Sequence, residues 1–401
     1  MEIINNGSIT SAKGFLAAGV NAGFKENRLD FMLLLSKTPA TVAGCFTQNQ
    51  VVAAPVTYCK KLLEGKNAAR AITINSGVAN ACTGERGLKW CNETAAIVSQ
   101  SLNIKSEEVY LASTGVIGRD LDMLKMRTGI EQASLILSED GGIAASKAIM
   151  TTDTVHKSIA VKCEANGGTF VIGGTAKGSG MIAPNMATML SVITTDIKIE
   201  EQPLLQKLLS SAVDKSFNLV TVDGDTSTND TLLILANGES GVEIVENSAN
   251  EIAFTQALDY VCQELAKMIA RDGEGATKMI EIVVKGAKSD ADAKKIAMTI
   301  ANSPLVKTAV FGNDPNWGRV FMAAGRAGVI FDQTKCGLIF AGVEVVRSGE
   351  PLIFNKTEVS EKMKSKEVRI EFDMDLGDKS ATAWTCDFSY EYVKINGEYT
   401  T

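Results

Sequence analysis

Apolar positions along the chain recur at two spacings in turn: alternate or continuous apolar runs where strands are expected, and every third or fourth residue where helices are expected. In the first half, "AITINSG" (71–77) is a β-branched run ending at a turn, and "EEVYLAST" (107–114) is a second strand. "GLKWCNETAAIVSQSL" (87–102) and "MLKMRTGIEQASLILSE" (123–139) carry helical spacing. "TVHKSIAVKCEANGGTFVIGG" (154–174) predicts a hairpin around Asn166, Gly167 and Gly168, and "MLSVITTD" (189–196) a further strand.

The second half resumes the alternation. "PLLQKLLSSAVDKSF" (203–217) predicts a helix, then "NLVTVDGD" (218–225) and "DTLLILANG" (230–238) predict strands. "IAFTQALDYVCQELAKMIARDG" (252–273) is a long amphipathic helix stopping at a glycine, with Lys267 and Arg271 suited to the negative end of the helix dipole. A strand in "MIEIVVKGA" (279–287), a helix in "DADAKKIAMTIANS" (290–303), a strand in "LVKTAVFG" (305–312) and a strand-rich tail from Gly337 complete the reading. This order predicts an α/β fold of layered mixed sheets and helices. At 401 residues the chain is long for one core, so two lobes are expected.

Composition narrows the function. Hydrophobic residues make up 45%, enough for sizeable cores, and the net charge of −7 with no basic run argues against nucleic acid as a partner. No apolar stretch reaches the roughly 18–20 residues of a membrane span. The opening "MEIINNGSIT" lacks a basic region followed by an apolar one, so no secretory leader and a cytoplasmic location are expected. Eight scattered cysteines without a CxxC and a single histidine offer little for a metal site and suit reduced, buried thiols. No metal is expected.

Candidate chemistry concentrates in "AKGSGMIAPNMATMLSVITTD" (176–196). "GGTAKGSG" is not a phosphate-binding P-loop, because Lys177 precedes Gly178 rather than following it. "GSGMIA" (178–183) fits G-x-G-x-x-A, but Pro184 falls where the dinucleotide-binding helix should run, and the following residues read as a strand. A hydroxyl nucleophile with a histidine base has only His156 to draw on, followed by Lys157 on a presumed strand. A third reading needs no histidine. If the chain is cut before a hydroxyl residue, the new α-amine, titrating near pH 8, becomes the base for that residue's own hydroxyl. Ala187-Thr188 fits, with Gly178, Gly180 and Pro184 upstream; Ala40-Thr41 and Ala276-Thr277 share the dipeptide, so residue chemistry alone leaves the choice open.

"KGSGMIAPNMATML" closely resembles the self-cleavage segment of the ornithine acetyltransferase (glutamate N-acetyltransferase) family of arginine biosynthesis. "NSGVANACTG" (75–84), "STGVIG" (113–118), "MTTDT" (150–154), "DGDTSTNDT" (223–231), "GEGATK" (273–278), "GNDPNWGR" (312–319) and the terminal "NGEYTT" are similar to that family's signatures in the same order. The resemblance covers essentially the whole chain. It implies a precursor cut between Ala187 and Thr188, giving an α chain of residues 1–187 and a β chain of 188–401 that begins with the nucleophile Thr188. It places the oxyanion hole at Thr114 and Gly115, and substrate contacts at Thr151, Lys177, Thr188, Glu274, Asn396 and Thr401. At "MTTDT" the neighbouring Thr152 competes with Thr151, since adjacent strand residues face opposite sides.

The function so implied is ping-pong transfer of acetyl from N-acetylornithine to glutamate without a cofactor. Acetyl-CoA is a co-substrate in only some members, a choice no residue here decides. The implied assembly is a heterotetramer of two cleaved protomers. An N-terminal-nucleophile amidohydrolase or aminopeptidase, with water replacing glutamate, is the alternative. "DGDTSTNDT" and "GNDPNWGR" look like ion-binding loops on composition. Asp223, Asp225 and Asp230 fail the EF-hand spacing, however, and both motifs are expected to be structural turns lining the site.

Overall fold

"TLLILA" has no polar face, and a strand without one must be covered on both sides. The computed structural model, which describes residues 1–65, 68–183 and 189–398, places this segment in the middle of a nine-stranded mixed sheet. Its strands are β1 (Glu2–Ile3), β2 (Phe15–Val20), β3 (Phe31–Phe46), β4 (Ala69–Val78), β5 (Val109–Val116), β6 (Lys157–Ala165), β7 (Gly168–Lys177), β8 (Leu190–Thr195) and β9 (Thr231–Ala236). The order is β1-β6-β7-β8-β9-β3-β4-β5, with β2 paired to β3. Along β9, Leu233 and Leu235 enter one hydrophobic core while Leu232 and Ile234 enter the other, the two-residue period of a strand.

β3 bridges two parts of this sheet. Residues 31–35 pair with β2 and β4, residues 41–46 pair with β9, and the register breaks between Leu35 and Ala40. Pro39, which has no N–H for a ladder, lies inside that break. Among the described residues eleven α-helices cover the sheets. α1 (Ala54–Glu64), α2 (Gly84–Leu102), α3 (Met123–Leu135) and α4 (Gly142–Ala148) belong to one lobe. α5 (Gln202–Asp214), α6 (Ala249–Arg271), α7 (Asp290–Ala301), α8 (Pro304–Phe311), α9 (Trp317–Gly325), α10 (Lys356–Lys362) and α11 (Tyr390–Glu398) follow.

The second sheet has six strands. They are β10 (Met279–Ala287), β11 (Gly337–Phe340), β12 (Val343–Arg347), β13 (Glu350–Pro351), β14 (Glu367–Asp373) and β15 (Lys379–Cys386), in the order β13-β12-β11-β14-β10-β15. α6 touches β6 and β7 on one side and β10 and β15 on the other, so it is the layer between the sheets. The expected layered, mixed-sheet α/β fold with two large cores is what forms.

Three segments differ from their expected elements. Residues 305–312 are not a strand but most of helix α8, because Ser303 accepts the Val306 N–H as N-cap and Pro304 stands in the first turn. Residues 218–225 contain the end of a 3-10 turn (Phe217–Leu219) and one isolated bridge, Val220 to Trp384, before the chain turns into the site. The 123–139 helix stops at Leu135, since the N–H groups of Ala17 and Ser138 each bond the other residue's carbonyl, fixing Ser138 to β2. α6 ends at Arg271, which pairs with Glu367; Lys267 pairs with Glu264 instead of the helix terminus. Among the described residues no helix is long and apolar enough to cross a membrane.

Candidate active site

The ends of β4, β5 and β7 open onto a cleft of about 380 Å³ where the two lobes meet. It is lined by Thr114 and Gly115 from β5, Thr151 and Thr152 from the 150–154 turn, Lys177 and Gly180 at and after the end of β7, Glu274 after α6, and Asn396 of α11. Of the residues singled out in the sequence, Thr114, Gly115, Thr151, Lys177, Glu274 and Asn396 therefore share one cavity. Ala187, Thr188 and Thr401 lie outside the described residues. The described neighbours Ala183 and Met189 are both buried.

The β4–β5 wall of the cleft depends on two glycines. β4 and β5 run parallel, Gly77 opposite Gly115, and the register slips at Val78. Gly115 has φ +127° and Gly77 φ +139°, conformations open to a residue without Cβ, and a Cβ on Gly115 would lie 2.2 Å from the Gly77 carbonyl carbon. Such an irregularity at the end of a ladder turns backbone groups out of the sheet. Asn229 braces both strands, donating through Nδ2 to the carbonyls of Ala79 (2.6 Å) and Ser113 (2.8 Å). Thr228 donates in turn to the Asn229 Oδ1 at 2.6 Å, and Ser113 to Asn75 Oδ1 at 2.6 Å. The "DGDTSTNDT" loop thus both lines the cleft and braces the ends of β4 and β5.

The charged wall is buried. Lys177 is 3% exposed and Glu274 8% exposed, so neither is the solvated surface charge that composition alone would allow. Burial pushes the Lys177 amine below the usual lysine range, with Lys157 pushing the same way against Asp153, Asp230 and Glu274. Behind it sits an ion cluster: Lys157 Nζ lies 2.6 Å from Asp153 Oδ1 and 2.6 Å from Asp272 Oδ2, all three nearly inaccessible. Asp153 also accepts the N–H groups of Gly178 (2.7 Å) and Thr151 (2.9 Å). Burial alone would raise the Asp153 carboxyl, but Lys157 and Lys177 outweigh it and hold it below its usual value. Asp230, fully buried and accepting the Met189 N–H at 3.1 Å, is pushed well above it by burial, against Lys177.

The C-terminal helix closes the third side. Asn396 donates to Glu274 Oε2 at 2.8 Å, and Tyr392 donates to Asp223 Oδ2 at 3.2 Å. Asp223 also accepts the N–H groups of Met181 (2.7 Å) and Ile182 (2.8 Å). Gly275, at φ +68°, lets α11 approach: a Cβ there would lie 2.5 Å from the Tyr392 nitrogen. Gly180 has a matching role, since its Cβ would fall 2.2 Å from Glu274 Oε2.

At the open question in "MTTDT", both threonines line the cleft. Thr152 Oγ1 is 2.6 Å from Ser179 Oγ, whereas the Thr151 hydroxyl has no hydrogen bond among the described residues. His156 faces another cavity, so no histidine reaches this cleft among the described residues. "GNDPNWGR" departs from its expected place. None of its residues lines the cleft; Asn316 instead caps α9 and Asn313 accepts a bond from Lys278. Asn229, Lys157, Asp272 and Tyr392 are parts of the site that the sequence did not single out. Their roles come from partners 115 to 169 residues away, for which spacing carries no signal.

Comparison with known proteins gives a consistent result. A family described as "ArgJ family" matches residues 16–401. The arginine biosynthesis bifunctional protein ArgJ of Synechococcus sp. is 49% identical over 99% of this chain and 98% of its own. The glutamate N-acetyltransferase of Methanocaldococcus jannaschii is 48% identical over the full length of both. Among solved structures, the arginine biosynthesis bifunctional protein ArgJ of Bacillus halodurans matches with TM-score 0.50 and 39% identity, covering 51% of this chain and 97% of that one.

Proposed function

The chain belongs to the ArgJ family and is an acetyltransferase of arginine biosynthesis acting on glutamate; on that premise we propose that it carries acetyl from N-acetylornithine to glutamate through an acetyl-threonine at Thr188. Cleavage after Ala187 frees the Thr188 amine, which takes the proton from its own hydroxyl as the oxygen attacks the acetyl carbonyl. The Thr114 hydroxyl and the Gly115 N–H meet the oxyanion. Ornithine leaves with the proton, and the α-amine of glutamate then attacks the acetyl ester, restoring the Thr188 hydroxyl. Lys177 pairs with the substrate carboxylate and Glu274 with the ammonium. The cycle needs no cofactor, and acetyl-CoA enters only as an alternative acetyl donor.

The observation that carries this reading is the convergence of Thr114 and Gly115, Lys177, and Glu274, from three sequence-distant segments, on one cleft. The half-length chain of the Bacillus halodurans structure supports a cut near the middle. Such a cut leaves each piece folded against the other: β8 and β9 belong to residues 188–401, yet β8 pairs with β7 and β9 with β3. Incubation with glutamate and either N-acetylornithine or acetyl-CoA tests the reaction. N-acetylglutamate should form from N-acetylornithine, and release of acetate without it would favour hydrolysis instead.

A further inference from the structure

A second cavity, of about 430 Å³, is lined by residues of the same 150–156 segment whose Thr151 and Thr152 line the cleft. Arg28, Lys147 and His156 line it, with Leu29, Met150 and Val155 as an apolar wall, and no carboxylate is among its lining residues. In a chain of net charge −7, the side chains of these three basic residues make no ion pair or hydrogen bond among the described residues. All three are exposed, as is Val155 at 55%. Lys147 lies close enough to His156 to add, with Lys157, to burial in lowering the imidazole. Three uncompensated donors around one hollow are a recognition set for a multiply charged anion. The guanidinium adds the planar fork that suits phosphate oxygens.

We propose that this pocket binds a phosphate-bearing ligand, the phosphate held by Arg28, Lys147 and His156 and the organic part resting on Leu29, Met150 and Val155. The 150–155 segment is shared with the active site. Thr151 and Thr152 face the cleft, Lys25 donates to the Met150 carbonyl and to Ser76 Oγ, and Thr154 donates from its N–H to Asp272, two residues before Glu274. A phosphate here has two sources: a separate phosphorylated effector, or the carrier of a thioester acetyl donor reaching past this segment. The second rests on the acetyl transfer proposed above; binding itself does not.

Calorimetric titration of the mature protein with inorganic phosphate, pyrophosphate and acetyl-CoA tests the site. At least one should bind saturably. The exposed pair Arg28→Ala/Lys147→Ala should weaken it at least tenfold, as His156→Gln does more mildly, while Lys61→Ala, an exposed cation elsewhere, leaves it unchanged. Turnover of N-acetylornithine with glutamate, in the absence of phosphates, should be the same in all variants. A raised KM for acetyl-CoA in the double variant identifies the donor's carrier; a pyrophosphate effect on N-acetylornithine turnover, lost in that variant, identifies an effector. No saturable binding of any of the three, or equal binding in the double variant, would overturn the proposal.

Discussion

In the proposed cycle Thr114 and Gly115 meet the oxyanion with one hydroxyl and one backbone N–H. Thr114→Ala removes one donor and should lower kcat by roughly 10²–10³, as loss of an oxyanion donor does elsewhere. The KM for glutamate should be little changed, and steady-state kinetics would separate the two parameters. Lys177 carries a pH signature. Its folded-state amine titrates below the ordinary lysine range, so it loses its charge as pH rises before a free lysine does. A charged Lys177 is what a carboxylate needs. The KM for glutamate should therefore climb on the alkaline side below about pH 10.4, the ordinary lysine value. Lys177→Ala should raise KM at all pH and flatten that limb; an unchanged KM profile would remove Lys177 from substrate binding.

Individual elements were legible where one local signal dominated. β10 and α6 follow from apolar period and length, and the β6–β7 hairpin from its Asn-Gly turn. Residues 305–312 misled because β-branched "LVKTAV" reads as strand, whereas the Ser303 cap and Pro304 start a helix. The candidate site was legible as motifs because each lies at a strand end or turn, where glycines and hydroxyls stand out. Its bracing was not: Asn229 looks like one more turn residue until β4 and β5 are brought beside it. That bracing makes the 223–231 loop the element to test. Asn229→Ala strands the Ala79 and Ser113 carbonyls, a loss of about 1–3 kcal/mol by the usual cost of unsatisfied buried groups. Thermal denaturation should show it, together with a fall in kcat from a loosened β4–β5 wall. Normal turnover in a destabilised variant would confine Asn229 to folding.

Across the whole molecule, the first 183 residues and the residues from Met189 on are joined by the sheet pairings β7–β8 and β3–β9 and by the buried Lys157 between Asp153 and Asp272. Lys157→Met leaves two buried carboxylates without their cation and should cost about 3–5 kcal/mol, read as a lowered melting temperature. Asp153 sets an acid limit. Its folded-state pKa is depressed by Lys157 and Lys177 against burial, so its contribution is full above the ordinary carboxyl value of about 3.9 and is lost as pH falls below it. Asp230 works in the opposite sense, holding its proton in the folded state, so stability falls as pH rises above that same value. Stability against pH in Asp153→Asn and Asp230→Asn should separate the two. The most direct test of the whole account is mass spectrometry of the mature protein, under denaturing conditions, after brief exposure to N-acetylornithine alone. The account predicts two polypeptides, residues 1–187 and 188–401, with a single acetyl group on Thr188 that glutamate removes. One intact, unacetylated chain in a preparation that still transfers acetyl to glutamate would contradict it.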